Sequence, residues 1–155
     1  MKRIIASIVV VAVAAMTLVS CEKYEDGKPA RTVRTEFARM YPDAKDVEWE
    51  AEAGYWKVSF ETGKAPDVKE CEAWYDASGE WIRTETDILS SALPKSVKDA
   101  LAASEYATAV LSDSDIEYVE TPDGNYYELE VRFGGVEVAL KVTEDGEVSL
   151  AFPTI

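Results

Sequence analysis

Carboxylates are the most abundant groups in this chain that could perform chemistry. The 155 residues include 30 Asp and Glu, 16 Lys and Arg, and no histidine. Asp113, Asp115 and Glu117 have the spacing of the first calcium ligands of an EF-hand loop, which also needs glycine at its sixth position and glutamate at its twelfth. Those two positions hold Tyr118 and Gly124. The sequence therefore predicts no calcium site of this kind, no other metal site and no cofactor.

The missing histidine also removes the side chain most often used as a general base, and with it the usual serine and cysteine triads. The chain has no glycine-rich phosphate loop, no serine nucleophile elbow and no CxxC motif. A carboxylate pair for glycoside hydrolysis stays open, because so many acids always offer pairs. The short predicted loops leave little room for a cleft around such a pair. We therefore predict that the protein is not an enzyme and has no catalytic residues.

The amino terminus is a candidate for covalent modification. Two basic residues, Lys2 and Arg3, precede an apolar stretch at residues 4–19 that is shorter than the roughly 20 residues of a membrane-spanning helix. A basic start followed by a short apolar run is typical of a secretory signal. The run ends in Leu-Val-Ser-Cys at residues 18–21, which resembles a bacterial lipobox.

The lipobox resemblance implies removal of residues 1–20 as a lipoprotein signal peptide and attachment of diacylglycerol to the sulfur of Cys21. An ordinary signal followed by a chance cysteine is the alternative. Because Glu22 follows, and not the aspartate that retains lipoproteins in the inner membrane, we expect a lipid anchor in the outer membrane of the cell envelope, facing the periplasm or the outside. Residues 21–28 are polar and are predicted to be a tether, so the membrane is a partner only through the lipid.

Cys71 needs a separate explanation. If Cys21 carries lipid, no intrachain disulfide can form, because the sequence contains only two cysteines. The corresponding residue in the second half of the chain is Val138, on the predicted core face. We therefore predict that Cys71 is a buried packing residue. A reactive thiol is the less favoured alternative, because nothing nearby in sequence would clearly lower its pKa.

The net charge of −14 restricts the partners. An acidic surface repels the phosphates of nucleic acids and of anionic lipids. We therefore predict no nucleic-acid partner. Acidity by itself indicates only solubility, and a role in binding cations or a basic partner is the alternative.

Two amphipathic helical stretches, each followed by alternating strand patterns, organise the chain. The first has apolar residues at spacings of three and four from Val33 to Tyr41 and ends at Pro42. The second opens at Leu93, and the strands after it are separated by turns and by a predicted polar loop at residues 112–115. Alternation of apolar and polar residues is typical of half-buried antiparallel strands.

These patterns predict an α+β fold. It consists of two tandem helix-plus-four-strand repeats, residues 29–87 and 93–153, in one compact domain. Residues 74–81 and 141–148 are the clearest related stretches, since both have a strand, a tight turn and a strand with glycine in the same place. Their alignment assigns Tyr75 and Trp81 to the core.

The same alignment places Trp74 on the face that the helices do not cover. A sheet face that mixes exposed aromatic rings with charges is a candidate contact surface. Cross-strand pairs that only stabilise the sheet are the alternative. Trp74 and Tyr55 are the strongest candidates. The predicted binding face consists of Tyr55, Lys57, Glu72, Trp74, Ile82, Tyr126, Arg132 and Lys141.

Five short motifs bear on the family. They are Tyr41-Pro42-x-Ala44, Val47-x-Trp49, Tyr55-x-x-Val58-x-Phe60, Tyr75-Asp76-x-x-Gly79-x-Trp81 and Leu93-Pro94-x-x-Val97. Together they resemble the PepSY-like family of exported bacterial proteins, which is related in fold to beta-lactamase inhibitory protein. The resemblance covers about residues 29–153. It implies two tandem helix-plus-strands units that form one antiparallel sheet, with both helices on one face.

The inhibitory protein binds its enzyme through an open, concave sheet face rich in aromatic residues, and related peptidase propeptides suggest inhibition or chaperoning. This chain lacks the pair of disulfides of the inhibitory protein, and no inhibitory residue carries over by position. The sequence thus predicts a non-catalytic, lipid-anchored envelope module that binds or inhibits an envelope protein through the open sheet face. A small-ligand or cation-binding envelope protein is the alternative.

Overall fold

The computed structural model describes residues 22–151, apart from the side chains of residues 112–115. This part contains two α-helices, a short 3-10 helix and nine strands. The helices are α1 (Arg31–Met40) and α2 (Lys95–Ala103), and the 3-10 helix, Ser90–Ala92, precedes α2. The strands are β1 (Lys23–Tyr24), β2 (Lys45–Glu52), β3 (Tyr55–Thr62), β4 (Lys69–Tyr75), β5 (Trp81–Asp87), β6 (Val110–Glu120), β7 (Tyr126–Phe133), β8 (Val136–Thr143) and β9 (Val148–Leu150).

The nine strands form one sheet in which spatial order follows chain order. Strands β2 to β9 pair antiparallel with their neighbours, whereas β1 pairs parallel with β2. The prediction of an α+β fold is confirmed. The sheet is mixed, however, and the prediction of a purely antiparallel sheet was wrong, because two residues of the predicted tether join it as β1. The description of the halves as tandem repeats stays a prediction.

The predicted polar loop at residues 112–115 was also wrong, since these residues lie within β6. Leu111 pairs with Val131, and Ile116 pairs with Leu129. Between these two pairs, four residues of β6 therefore run beside one residue of β7, and the extra residues form an irregularity in the pairing. Polar residues in sequence predicted a turn, but the pairing on both sides keeps the strand continuous.

Each half of the sheet is covered by its own helix. In the first half, Phe37 of α1 makes edge contacts with Trp49 (5.3 Å between ring centroids) and Phe60 (5.0 Å). In the second half, Val97 of α2 packs in a cluster with Leu129 and other buried residues of β6, β7 and β8. Burial of aromatic and aliphatic side chains at this scale is the main favourable term in folding.

Both helices lie on the same side of the sheet. Cys71, which packs in the α1 cluster, pairs with Thr86, and Thr86 pairs with Tyr118, which packs in the α2 cluster. Residues directly opposite one another on neighbouring strands share a face. The other face of the sheet is therefore free of helices in the part of the chain that the structure describes.

The turn at residues 76–79 holds β4 and β5 against α1. One oxygen of Asp76, Oδ1, accepts hydrogen bonds from the backbone N–H groups of Ser78 (2.8 Å), Gly79 (2.9 Å) and Glu80 (2.8 Å). Gly79 has φ +99°, and a Cβ there would lie 3.1 Å from backbone atoms of α1. In the second half, a Cβ on Gly146 would lie 3.4 Å from Ala100 of α2. Both turn glycines thus lie close to the helix of their own half.

This close approach predicts unequal effects of two glycine substitutions. Gly54 also has a positive φ, +91°, but a Cβ there would meet nothing within 4 Å. Gly54→Ala should lower the free energy of unfolding by about 1 kcal/mol through backbone strain alone. Gly79→Ala should lower it by about 1–3 kcal/mol more, because its methyl group meets the α1 backbone. Urea denaturation measures both, and equal losses would show that the contact with α1 is unimportant.

Candidate functional site: the open sheet face

The helix-free side of the sheet, called the open face below, is the surface on which the sequence placed a binding site. Alternation along each strand and pairing between strands decide which residues lie on it. For example, Lys57 pairs with Trp74, and Trp74 pairs with Arg83. The open face includes Glu50, Glu52, Tyr55, Lys57, Ser59, Glu61, Glu70, Glu72, Trp74, Arg83, Glu85, Asp87, Glu117, Val119, Tyr126, Glu128, Arg132, Glu137 and Lys141.

Trp74 lies on the open face but is not exposed. Only 4% of its surface is accessible, because Arg83 covers its ring, with Cζ 4.2 Å from the ring centroid. Arg83 also forms an ion pair with Glu85, Nη2 to Oε1, at 3.0 Å. The prediction that Trp74 is an exposed aromatic was therefore wrong. Its ring forms the floor of the face and holds the arginine in a cation–π contact.

Ile82 occupies a β-bulge. Trp74 pairs with Arg83 and Tyr75 pairs with Trp81, so Ile82 has no partner on β4. Simple alternation predicts Ile82 on the open face together with Trp74. The bulge gives that place to Arg83, which sequence reasoning missed, because one extra residue reverses the alternation that follows it.

Lys57 is the centre of a group of charges on the first half of the face. Its ammonium lies 3.2 Å from Glu50, 3.6 Å from Glu52 and 3.7 Å from Glu72, and 17% of its side chain is exposed. Burial alone would lower the pKa of Lys57, but the hydrogen bond to Glu50 and the charges of Glu72, Glu50 and Glu52 raise it. Two predicted residues, Lys57 and Glu72, are thus brought together.

Tyr126 and Lys141 are brought together on the second half of the face. Lys141 Nζ lies 4.1 Å from the centre of the Tyr126 ring, which is buried. Tyr126 pairs with Val119, a fully buried residue of the same face. The open face therefore has an apolar layer under its charges.

The remaining predicted residues lie toward the ends of their strands. Tyr55, which is half-buried, is the first residue of β3. The side chain of Arg132, near the end of β7, is 66% exposed and forms an ion pair with Glu137 at 3.3 Å. Neither of these two residues takes part in the contacts described above for Trp74 and Tyr126.

At the centre of the open face lie carboxylates whose pKa values are raised above their ordinary values. Burial, with the charges of Glu117, Glu128 and Glu72, raises the pKa of Glu85 to about 7 despite the opposing effect of Arg83. Burial, with the charges of Glu128 and Asp87, likewise raises the pKa of Glu117 to about 7. The pKa of Glu128 is also raised by burial. These shifts depend on three strands lying side by side, so the sequence could not reveal them.

No group of three or more His, Cys, Asp and Glu residues among those described has the arrangement of a metal site. The side chains of Asp113 and Asp115, two of the EF-hand candidates, lie outside the described set. Cys71 is buried, as predicted, and its sulfur lies 3.7 Å from the Thr62 hydroxyl and 3.6 Å from the Thr86 hydroxyl. Cys21, the predicted lipidation site, lies outside the described residues.

One mixed sheet with two helices on one side and charges over aromatic rings on the other defines a small α+β protein with one open sheet face. The chain matches the family described as beta-lactamase-inhibitor-like, PepSY-like, over residues 54–149. It belongs to this family, and the resemblance drawn from the five motifs is confirmed. A search of curated proteins finds no match.

Solved structures agree with this assignment. A BLIP-like protein from Bacteroides fragilis is 27% identical, with a TM-score of 0.69, and the match covers 79% of this chain and 84% of that one. A DUF2874 family protein from Bacteroides ovatus is 26% identical, with a TM-score of 0.67 and coverage of 80% and 89%. A protein from Bacteroides eggerthii, described as a "putative periplasmic" protein, is 23% identical, with a TM-score of 0.66 and coverage of 79% and 86%.

The raised pKa of Glu117 predicts a stabilising substitution. Its pKa is about 7 in the folded protein against an ordinary value of 4.5, so folding favours the protonated form. The free energy of unfolding should therefore fall as pH rises from about 4.5 to about 7. Glu117→Gln removes this penalty and should stabilise the protein at pH 8 by on the order of 1 kcal/mol, after allowance for solvent screening, and have little effect near pH 4.

Urea denaturation at both pH values measures this effect. Glu105→Gln is the matched control, because Glu105 is exposed beyond α2 and loses the same charge. Equal free energies of unfolding for the two variants at pH 8 would show that ionisation of Glu117 does not destabilise the folded protein.

Proposed function

We propose that the chain is a non-catalytic, lipid-anchored module of the bacterial cell envelope that binds a protein through the open face. The observation that carries this proposal is the one-sided cover of the sheet. Both helices pack on one side, whereas the other presents charged side chains over the buried rings of Trp74 and Tyr126. Aromatic residues and arginine are the types enriched at the centres of protein interfaces.

Family membership supports a binding role over a catalytic one. The family is described as beta-lactamase-inhibitor-like, and inhibition requires a surface that another protein covers. On the open face, ion pairs and cation–π contacts hold the side chains in place before a partner binds. Such preorganisation reduces the side-chain entropy lost on binding.

The envelope location is supported by the lipobox-like residues 18–21 and by the "putative periplasmic" description of the Bacteroides eggerthii protein. Within the described residues, no helix has the length and apolar character needed to cross a bilayer. Lys23 already pairs with Glu48 in the sheet. Lys23 is two positions after Cys21, and two steps of chain span at most roughly 7 Å, so a lipid on Cys21 would hold the β1 edge of the sheet close to the membrane.

Anchoring through Cys21 predicts that one cysteine, and not the other, accepts lipid. Cys21→Ser should abolish incorporation of radiolabelled palmitate in growing cells, because serine offers no thiol for diacylglycerol transfer. Cys71→Ser is the matched control and should label normally, since Cys71 is buried in the fold. Labelling of Cys21→Ser at the level of the unmodified chain would contradict the anchor.

Binding through the open face predicts that a bulky group at its centre blocks capture of a partner. Ser59 is half-buried on β3, and its hydroxyl donates to Glu72 Oε1 at 2.9 Å. Ser59→Cys, made with Cys71→Ser in a chain that starts at residue 22, can be modified with a polyethylene-glycol maleimide after folding. This chain contains every element of the described fold.

The modified protein should lose a partner that the unmodified protein captures from envelope extracts. Thr35→Cys, on the exposed side of α1, carries the same label as a control and should capture normally. If the label at residue 59 leaves capture unchanged, the open face is not the binding surface. If none of the proteins captures a specific partner, the proposed role itself fails.

A further inference from the structure

The open face contains a groove of about 480 Å³ across strands β2 to β6. Its wall is almost entirely acidic. Ser59, Phe60 and Cys71 contribute to the lining, but among the described residues no lysine or arginine does. The carboxylates that line it are Asp46, Glu61, Glu70, Glu72, Glu85, Asp87 and Glu117.

The basic residues of the open face either contact other groups or neutralise only part of the negative charge of the groove. Lys57 is shared among Glu50, Glu52 and Glu72, and Arg83 is paired with Glu85. Lys45, which pairs with Glu61, donates a hydrogen bond to the Gly63 carbonyl at 3.4 Å, and Lys23 forms an ion pair with Glu48 at 3.5 Å. On the second half of the face, Lys141 rests on Tyr126 and Arg132 pairs with Glu137. The groove thus keeps a surplus of negative charge.

Pairing between neighbouring strands brings carboxylates of the open face close together. Asp87 pairs with Glu117, and Glu117 pairs with Glu128. Carboxylates directly opposite one another on neighbouring strands destabilise the sheet. The pKa values of Glu85 and Glu117, both raised to about 7, reflect burial and this mutual repulsion.

We propose that a basic segment of the partner protein docks on the open face and inserts a lysine or arginine side chain into this groove. The inference rests on the binding role proposed above and names the chemistry of the partner. Charge complementarity selects a cation, and the net charge of −14 would attract a basic protein over a distance. A side chain suits the groove better than a metal ion, because the described carboxylates do not have the arrangement of a metal site.

The length and shape of arginine and lysine also fit the groove. Their long aliphatic stems let the charged group reach the carboxylates of the groove. Arginine is the better match, since its planar guanidinium can bind carboxylates through paired hydrogen bonds.

Docking of a cation has a defined pH dependence. A positive charge favours the ionised forms of Glu85 and Glu117, so protons must leave on binding at pH values below their pKa of about 7. Affinity should therefore rise between pH 6 and pH 8. The charged groups that face these two glutamates are Glu72 on β4, Arg83 and Asp87 on β5, and Glu128 on β7.

A synthetic peptide of six arginines tests the inference on the chain from residue 22 onwards. Binding is measured by isothermal titration at pH 8 and low salt, with a six-glutamate peptide, Ca²⁺ alone and Mg²⁺ alone as further ligands. The double variant E85Q/E117Q keeps the size of both side chains. The matched control D43N/E105Q removes two exposed charges outside the groove.

The unmodified chain and D43N/E105Q should bind the arginine peptide alike, whereas E85Q/E117Q should bind roughly tenfold more weakly. Affinity of the unmodified chain should also fall as pH drops from 8 to 6. Equal weakening in both double variants would overturn the inference, because it would show attraction by net charge alone. Stoichiometric binding of Ca²⁺ or Mg²⁺ that displaces the peptide would also overturn it and indicate a metal site.

A second readout separates this inference from the proposed function. If the maleimide label at residue 59 blocks capture of the natural partner but E85Q/E117Q captures it fully, the open face binds without a basic segment and only the present inference fails. If the label has no effect, both fail. Circular dichroism of each variant confirms that the fold is retained in these comparisons.

Discussion

The β-bulge at Ile82 decides which side of the sheet each later residue of β5 occupies. Without it, strict alternation would place Arg83 among the core residues under α1 and Thr84 on the open face. With it, Arg83 lies opposite Trp74, and Thr84 is buried on the helix side. The Thr84 hydroxyl is then 2.6 Å from the Tyr41 hydroxyl and accepts a hydrogen bond from Trp81 Nε1 at 2.9 Å. One extra residue thus satisfies a buried polar group and supplies the arginine of the open face.

The charges of the open face are held close to an apolar layer. Val119 is fully buried beneath them, and Trp74 and Tyr126 are nearly so. Charges in this position are screened less by water than charges at an ordinary surface. Both the attractive and the repulsive interactions between them are therefore stronger. This explains how one face can contain well-formed cation–π contacts and also glutamates that resist ionisation.

Much of the fold could be predicted from the sequence, because apolar periodicity reports burial directly. Tyr75 is fully buried, Trp81 packs on the α1 cluster, and Cys71 is buried, all as the alignment of the two halves predicted. The exposure of Trp74 could not be predicted in the same way, because it depends on Arg83. Their contact follows from the bulge, which has no sequence signal as clear as a turn glycine.

The acidic part of the candidate site could not be predicted from the sequence, for a related reason. In sequence, Glu85 and Glu117 are two acids among thirty, more than 30 positions apart. They become neighbours only because β5 pairs with β6. Net charge predicted an acidic surface, but only the register of the sheet shows that some of these acids are crowded and others exposed.

The pairing of β5 with β6 also joins the two halves of the sheet, since spatial order follows chain order and no other pair of the described strands connects them. The acidic groove crosses this junction, with Asp87 on one side and Glu117 on the other. Repulsion there opposes the contact that holds the halves together. A cation bound in the groove would contact both strands and replace that repulsion with attraction. Binding at this place would therefore stabilise the junction itself, which couples occupancy of the open face to the rigidity of the whole sheet.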